Sequence, residues 1–186
     1  MFDGAYPAVP GGEADRLEEP IRAAVLTLSD RCAAGVAEDT GGPALVDRLE
    51  RVLFAEVVAT AVLPDEPDQI GGQLKAWALD GPKPDLILTT GGTGLSPRDR
   101  TPEGTSAVLE REHPALLELA RLRCYAVTPK AALSRGACGT LGGSLVINLP
   151  GSPRGAAEMF DALVDVLPHA IETLRGDVVS DGKPVE

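Results

Sequence analysis

Aromatic residues are scarce, at 3% of 186 residues, so any core must be built from aliphatic side chains. Basic residues are outnumbered as well: 17 Lys and Arg stand against 28 Asp and Glu, a formal charge of -11. That deficit excludes a general affinity for nucleic acid or an anionic membrane surface, because both rest on clustered cations. An anionic substrate must then be held by local cations, backbone amides or a metal ion. Histidine occurs only as His113 and His169. Neither stands beside a nucleophile signature, so a hydrolytic triad has no support. Cys32, Cys124 and Cys138 are far apart and form no C-x-x-C pair, which argues against a zinc knuckle or a disulfide framework. Three isolated thiols fit a reducing cytoplasm. No apolar run approaches the roughly 20 residues of a membrane span, and the first 20 residues lack the basic and apolar regions of a signal peptide. A soluble, cytoplasmic protein is the expectation.

What is present is a long alternation of strand-like and helical patterns. Residues 1–20, rich in Pro, Gly and acid, read as a disordered tail, residues 21–176 as one domain, and residues 177–186 as a loose end. Strands are expected at "IRAAVLTL" (21–28), "AEVVATAVL" (55–63), "DLILTT" (85–90) and "SLVINL" (144–149). Helices are expected at 40–53, where Leu45, Leu49, Val52 and Leu53 make an apolar stripe, and at 67–79, weakened by Gly71 and Gly72. Further helices are expected at 101–112, with Thr101 as N-cap and Pro102 in the first turn, and at 114–123. Residues 153–175 read as a long closing helix kinked near Pro168. Trp77 and Met159 fall on helices and read as packing residues. This order implies an α/β fold: a three-layer α/β/α sandwich around a mostly parallel sheet.

On that map the four segments richest in glycine and polar residues all follow strand C-termini. They are "SDRCAAG" (29–35), "PDEPD" (64–68), "TTGGTGLSPRDRTPE" (89–103) and "NLPGSPRG" (148–155). In an open parallel sheet those ends share one edge, where ligands bind. Gly91, Gly92 and Gly94 allow close backbone approach, so that successive N–H groups can face phosphate oxygens, and Thr89, Thr90 and Thr93 add hydroxyls. The loop has neither the Lys-Ser/Thr ending of a P-loop nor a G-x-G-x-x-G pattern, and an ordinary turn remains an open reading. Asp65 and Asp99 would hang at the crevice edge, where two carboxylates suit Mg²⁺, with solvated loop acids as the plain alternative. Arg98 and Arg100 flank Asp99 and serve either the site or a surface pair with Glu103. Ser134 and Arg135 offer a hydroxyl and an anion clamp, or a turn.

"TTGGTGLSPRDRTPE" resembles the signature of the MogA/MoaB family of molybdenum-cofactor biosynthesis, which includes molybdopterin adenylyltransferases and the G domain of gephyrin. "SDR" (29–31), "PDE" (64–66), "LSR" (133–135) and "NLPGSP" (148–153) extend the likeness in the same order. The resemblance implies a molybdopterin-binding fold, usually a homotrimer, that transfers AMP from Mg-ATP to molybdopterin and releases pyrophosphate. It implies Asp65 and Asp99 as metal-holding catalytic residues. Ser29, Asp30, Gly91, Gly92, Thr93, Gly94, Asn148, Pro150, Gly151 and Ser152 would then form the nucleotide and phosphate site, and Arg98, Ser134 and Arg135 the molybdopterin side. A separate partner would carry out molybdenum insertion. Arg100 and Ala115 depart from the family pattern. Two other functions stay open here: a molybdopterin-binding or scaffold trimer without turnover, and a relative of competence-damage proteins acting on another nucleotide.

Overall fold

The computed structural model describes residues 17–176. Most of the expected N-terminal tail and all of the expected loose C-terminal end lie outside them. Within the described tail segment, Leu17 packs on the core.

Six strands form one sheet in the order β2-β1-β3-β6-β5-β4. The four expected strands are β1 (Arg22–Leu28), β2 (Glu56–Leu63), β3 (Leu86–Thr90) and β6 (Ser144–Leu149), and these four pair in parallel with one another. Each central strand is apolar on both faces, as a sheet covered on both sides requires. Ala23, Val25, Leu86, Leu88, Leu145 and Ile147 enter one core, together with Leu45 and Leu49 of α2 (Gly41–Val52), Leu117 of α5 (Pro114–Tyr125), Phe160 of α6 (Pro153–Asp161) and Ile171 of α7 (Leu167–Arg175). Ala24, Leu26, Ile87 and Val146 enter the other, against Ile70 and Leu74 of α3 (Pro67–Lys75) and Trp77. The result is the expected three-layer α/β/α sandwich, and Trp77 and Met159 are both packing residues.

Four local expectations are corrected. The helix expected over 101–112 is only α4 (Thr101–Ser106); Arg111 and Glu112 form the short strand β4, antiparallel to β5 (Cys138–Leu141). β5 itself, which begins inside the polar "LSRGACG" stretch, forms a hairpin with β6 around Gly142, whose φ is +56°. Strand pairing here overrides local helical pattern. Thr101 is not the N-cap: Arg100 is, and Thr101 enters the first turn with its side chain buried. The closing helix is two helices, broken over Ala162–Val166, and Pro168 sits in the first turn of α7. A proline that lacks an N–H suits a helix start, where that N–H would have no partner. α3 runs into a wider π-type turn (Ala76–Asp80). Gly71 in α3 is demanded by packing, because a Cβ there would lie 2.9 Å from Val108 Cγ1.

Candidate active site

The parallel register puts the C-termini of β1, β2, β3 and β6 on one edge, and direct hydrogen bonds then join the loops that follow. Ser29 N–H donates to Leu63 O (2.9 Å), Gly91 N–H to Leu149 O (3.3 Å) and Arg135 N–H to Thr93 O (2.8 Å). Thr90 Oγ1 donates to Pro150 O (2.7 Å). Asp65 N–H, donating to Asp30 Oδ1 (3.1 Å), adds the loop after β2, so the four segments singled out in the sequence meet around one crevice.

Its floor is the glycine loop. Gly91 and Gly92 have φ of +108° and +59°, a region that L side chains rarely enter. Gly91 must also lack a side chain because a Cβ would lie 2.0 Å from Leu28 O. Its N–H is spent on Leu149. The next three, those of Gly92, Thr93 and Gly94, donate to no atom among the described residues. Three successive unpaired N–H groups in a glycine turn are the donors that an anion-binding concavity requires.

Two carboxylates flank that cradle. Asp65 is buried, and its Oδ1 has no hydrogen-bond partner among the described residues. Burial first, and then the nearby charges of Asp30 and Asp99, push its pKa up. Asp99 is half-buried, and its Oδ2 accepts from Ser96 N–H (3.0 Å). Asp99 Oδ2 lies 2.7 Å from where a Cβ on Gly94 would stand, and Asp65 Oδ1 lies 2.2 Å from the same point on Gly92. No cluster of three or more His, Cys, Asp or Glu disposed around a metal occurs among the described residues. Mg²⁺ does not need one, since it commonly takes one or two carboxylates and completes its shell with water and substrate phosphates. An unpartnered, desolvated carboxylate oxygen beside an anion cradle fits that ion.

Asp30, Arg98 and Arg135 have their side chains engaged in tying the crevice together. Asp30 Oδ1 accepts from Asp65 N–H (3.1 Å) and Arg98 Nη2 (2.8 Å), and Oδ2 from Arg98 Nε (3.0 Å). Arg98 Nη2 also donates to Glu66 Oε1 (2.9 Å). The Arg98 guanidinium holds the Asp30 carboxyl below the usual range, helped by the Asp65 amide. Arg135 donates to Gly94 O (2.8 Å), Asp99 O (2.7 Å) and Glu103 Oε1 (2.8 Å), bracing the loop from outside. Arg100 approaches Glu103 at 4.0 Å. Asn148 is fully buried. Its Nδ2 donates to Thr89 Oγ1 (2.9 Å) and Thr105 Oγ1 (3.0 Å), and its Oδ1 accepts from Ala137 N–H (3.0 Å), so it supports the loop from beneath. Ser134 Oγ is 3.4 Å from Thr93 Oγ1. Ser29 caps the short α1 (Asp30–Ala33), and Ser152 caps α6 by accepting from Gly155 N–H (3.1 Å).

Pro150 and Ser152 also line a cavity of about 460 Å³ with Thr128, Lys130, Arg154 and Glu158, a size in the range of small-molecule sites. Sequence reading missed Thr128 and Lys130, which lie outside the quoted motifs. Arg154 and Glu66 fall inside quoted segments but were given no role, and Glu103, read there as a surface partner of the arginines, does pair with Arg135. The histidines are exposed and take no part. Burial pushes the Cys124 thiol up to about 11 and Cys138 to about 12, so neither supplies a thiolate near neutral pH.

A sequence model described as "Probable molybdopterin binding domain" matches residues 24–169. The chain belongs to the MogA/MoaB family of molybdenum-cofactor biosynthesis. The molybdopterin biosynthesis enzyme MoaB of Thermus thermophilus is 49% identical, with a TM-score of 0.79 over 84% of this chain and 97% of that one. The molybdenum cofactor synthesis protein cinnamon of Drosophila melanogaster is 42% identical over 86% of this chain, which spans 26% of cinnamon. The chain likewise spans 53% of the molybdenum cofactor biosynthesis bifunctional protein of Chlorobaculum tepidum. The molybdopterin adenylyltransferase of Helicobacter pylori strain 26695 is 36% identical over 86% of this chain and 90% of its own length. A CinA protein of Thermoplasma acidophilum, 22% identical with a TM-score of 0.57, shares the fold.

Proposed function

We propose that this family member is a molybdopterin adenylyltransferase, which joins AMP from ATP to the terminal phosphate of molybdopterin and releases pyrophosphate. The observation that carries the reading is the run of unpaired N–H groups at Gly92, Thr93 and Gly94 beside the carboxylates of Asp65 and Asp99. Such a pairing suits a polyphosphate that arrives with a divalent cation. The match to proteins named molybdopterin adenylyltransferase supports the same substrates.

The chemistry asks little of a base. The molybdopterin phosphate is already anionic near neutral pH, so one of its oxygens attacks the α-phosphorus of ATP directly. The bond from the α-phosphorus to the bridging oxygen breaks, and pyrophosphate leaves with that electron pair. Positioning and charge shielding remain for the protein to supply. The amides of Gly92–Gly94 orient phosphate oxygens, while Arg98 lies at the rim beside Asp30 and Glu66. Asp65 and Asp99 would hold Mg²⁺, which when bound neutralises phosphate charge and makes pyrophosphate a better leaving group. The cavity at Pro150 and Ser152 is room for a nucleoside or pterin, with Lys130 and Arg154 as local cations in an acidic protein. Ser134 adjoins Thr93 on the side proposed for molybdopterin.

We place the protein in the cytoplasm as a homotrimer that passes its product to a molybdenum-insertion partner. Among the described residues no helix is long and apolar enough to cross a membrane. Leu122, Tyr125, Val127 and Leu133 leave large apolar side chains exposed near one another in sequence, a surface that association would cover. The test is pyrophosphate release and adenylyl-molybdopterin formation with and without Mg²⁺, in the wild type and in Asp99→Ala. Turnover that needs Mg²⁺ and falls by ~100-fold or more in the variant is expected. Molybdopterin binding without product would make the protein a carrier or scaffold instead.

A further inference from the structure

Asp65 Oδ1 and Thr101 Oγ1 are the two buried side-chain polar atoms without a partner among the described residues. They are not scattered. Each lies 2.2 Å from the point where a Cβ on Gly92 would stand, so they are no farther apart than twice that distance. Thr101 is fully buried, and its N–H donates to Gly92 O (3.2 Å), which pins its side chain beneath the glycine. One atom is an acceptor with two lone pairs to fill, and the other is a hydroxyl with a proton to give. Leaving both unmatched in the interior is unfavourable, and more so for a charged group than for a neutral one. The simplest assignment satisfies both at once.

We propose that Thr101 is the positioning residue of Asp65. Its hydroxyl donates to Oδ1, directly after a small side-chain rotation or through one bridging water, and so fixes the carboxylate plane with the other oxygen turned to the crevice. Asp30 already holds the Asp65 backbone through its N–H, so Thr101 supplies the matching hold on the side chain. The absence of a side chain at Gly92 is what opens the space between them. This inference rests on the proposed role of Asp65 in holding a divalent cation. It adds a residue that acts through Asp65 and does not touch the substrate.

The test replaces Thr101 by Val, which keeps the branched shape and removes the hydroxyl, and by Ser, which keeps the hydroxyl and removes the methyl. Mn²⁺ affinity is measured by electron paramagnetic resonance on the isolated protein with ATP present, alongside melting temperature and the Mg²⁺ dependence of turnover. Thr101→Val is expected to weaken Mn²⁺ binding by about tenfold, the size of one lost hydrogen bond to a charged group. Thr101→Ser should restore most of that affinity, while Asp65→Asn removes it. Equal Mn²⁺ affinity in Thr101→Val and the wild type would overturn the proposal, as would equal impairment of the Ser and Val variants, which would make the methyl packing the cause. Mn²⁺ binding is read without turnover. An inactive wild type that still shows the Val and Ser pattern would therefore sink the adenylyltransferase reading and leave this one standing.

Discussion

Single atoms decide whether this crevice forms, and the glycines show it most directly. Gly92 combines a left-handed φ of +59° with a Cβ position 2.2 Å from both Asp65 Oδ1 and Thr101 Oγ1. Gly92→Ala should cost ~1–2 kcal/mol for the backbone alone, with a further penalty as Asp65 and Thr101 are pushed aside. Loss of turnover is expected together with a lowered melting temperature. Gly72 gives the contrast: it lies in α3 with nothing within 4 Å of its Cβ position. Gly72→Ala should raise stability by up to ~1 kcal/mol through helix propensity, with turnover unchanged. Thermal melts and an activity assay on the pair separate a required glycine from an incidental one. A destabilised Gly72→Ala would mean that the helix there is not free to accept a side chain.

At the level of elements, the glycine loop is held by a side chain from another segment. Arg135, which follows the 3-10 turn Pro129–Leu133, donates to Gly94 O, Asp99 O and Glu103 Oε1 and so spans the loop from the cradle to α4. Lysine cannot reproduce three directed donors from one planar group. Arg135→Lys should leave the melting temperature within a few degrees (~3 °C for under 1 kcal/mol in a domain this size) and cut turnover by about tenfold, or roughly 1.4 kcal/mol of barrier. Amide exchange at Ser96, Arg98, Asp99 and Thr101, whose N–H groups are bonded within the loop, should quicken, and its failure to do so would remove Arg135 from the bracing role. Arg135 also shows what was legible in the sequence. From the residues alone "LSR" read as a turn, and only the family resemblance put Arg135 at the site; that its fork is turned on the loop backbone could not be read, because the partners lie 32 to 41 residues away. The parallel strands were readable because each is a continuous apolar run between breakers. β4 and β5 were not, because the first is two exposed residues and the second begins in a stretch with the composition of a turn. Asp65 and Asp99 were readable as loop acids at strand ends, whereas the meeting of Asp65 with Thr101 depends on a turn geometry that only the folded chain possesses.

Across the whole molecule, the edge opposite the crevice is fastened at one carboxylate. Asp85, just before β3, accepts from Arg175 Nε (2.9 Å) and Nη2 (2.7 Å) at the end of α7, and from Arg22 N–H (2.8 Å) at the start of β1. Arg175 also donates to Pro20 O (3.0 Å), so the first strand, a central strand and the last helix meet at one carboxylate. Both side chains are mostly buried, at 17% and 16% exposure. Burial alone would raise the Asp85 pKa, but the hydrogen bonds from Arg175 and Arg22 outweigh it and the net shift is downward. A depressed carboxylate pKa contributes stability that is present above the unfolded value, near 3.9, and is lost as pH falls through the folded value. Asp85→Asn should therefore lower stability by about 2 kcal/mol near neutral pH. The gap between variant and wild type should close as pH drops below ~4. Because the tie lies across the sheet from Gly92–Gly94, the substrate KM of the variant should match the wild type below its melting transition. A gap that persists unchanged at pH ~3 would show that Asp85 acts through packing and not through its charge.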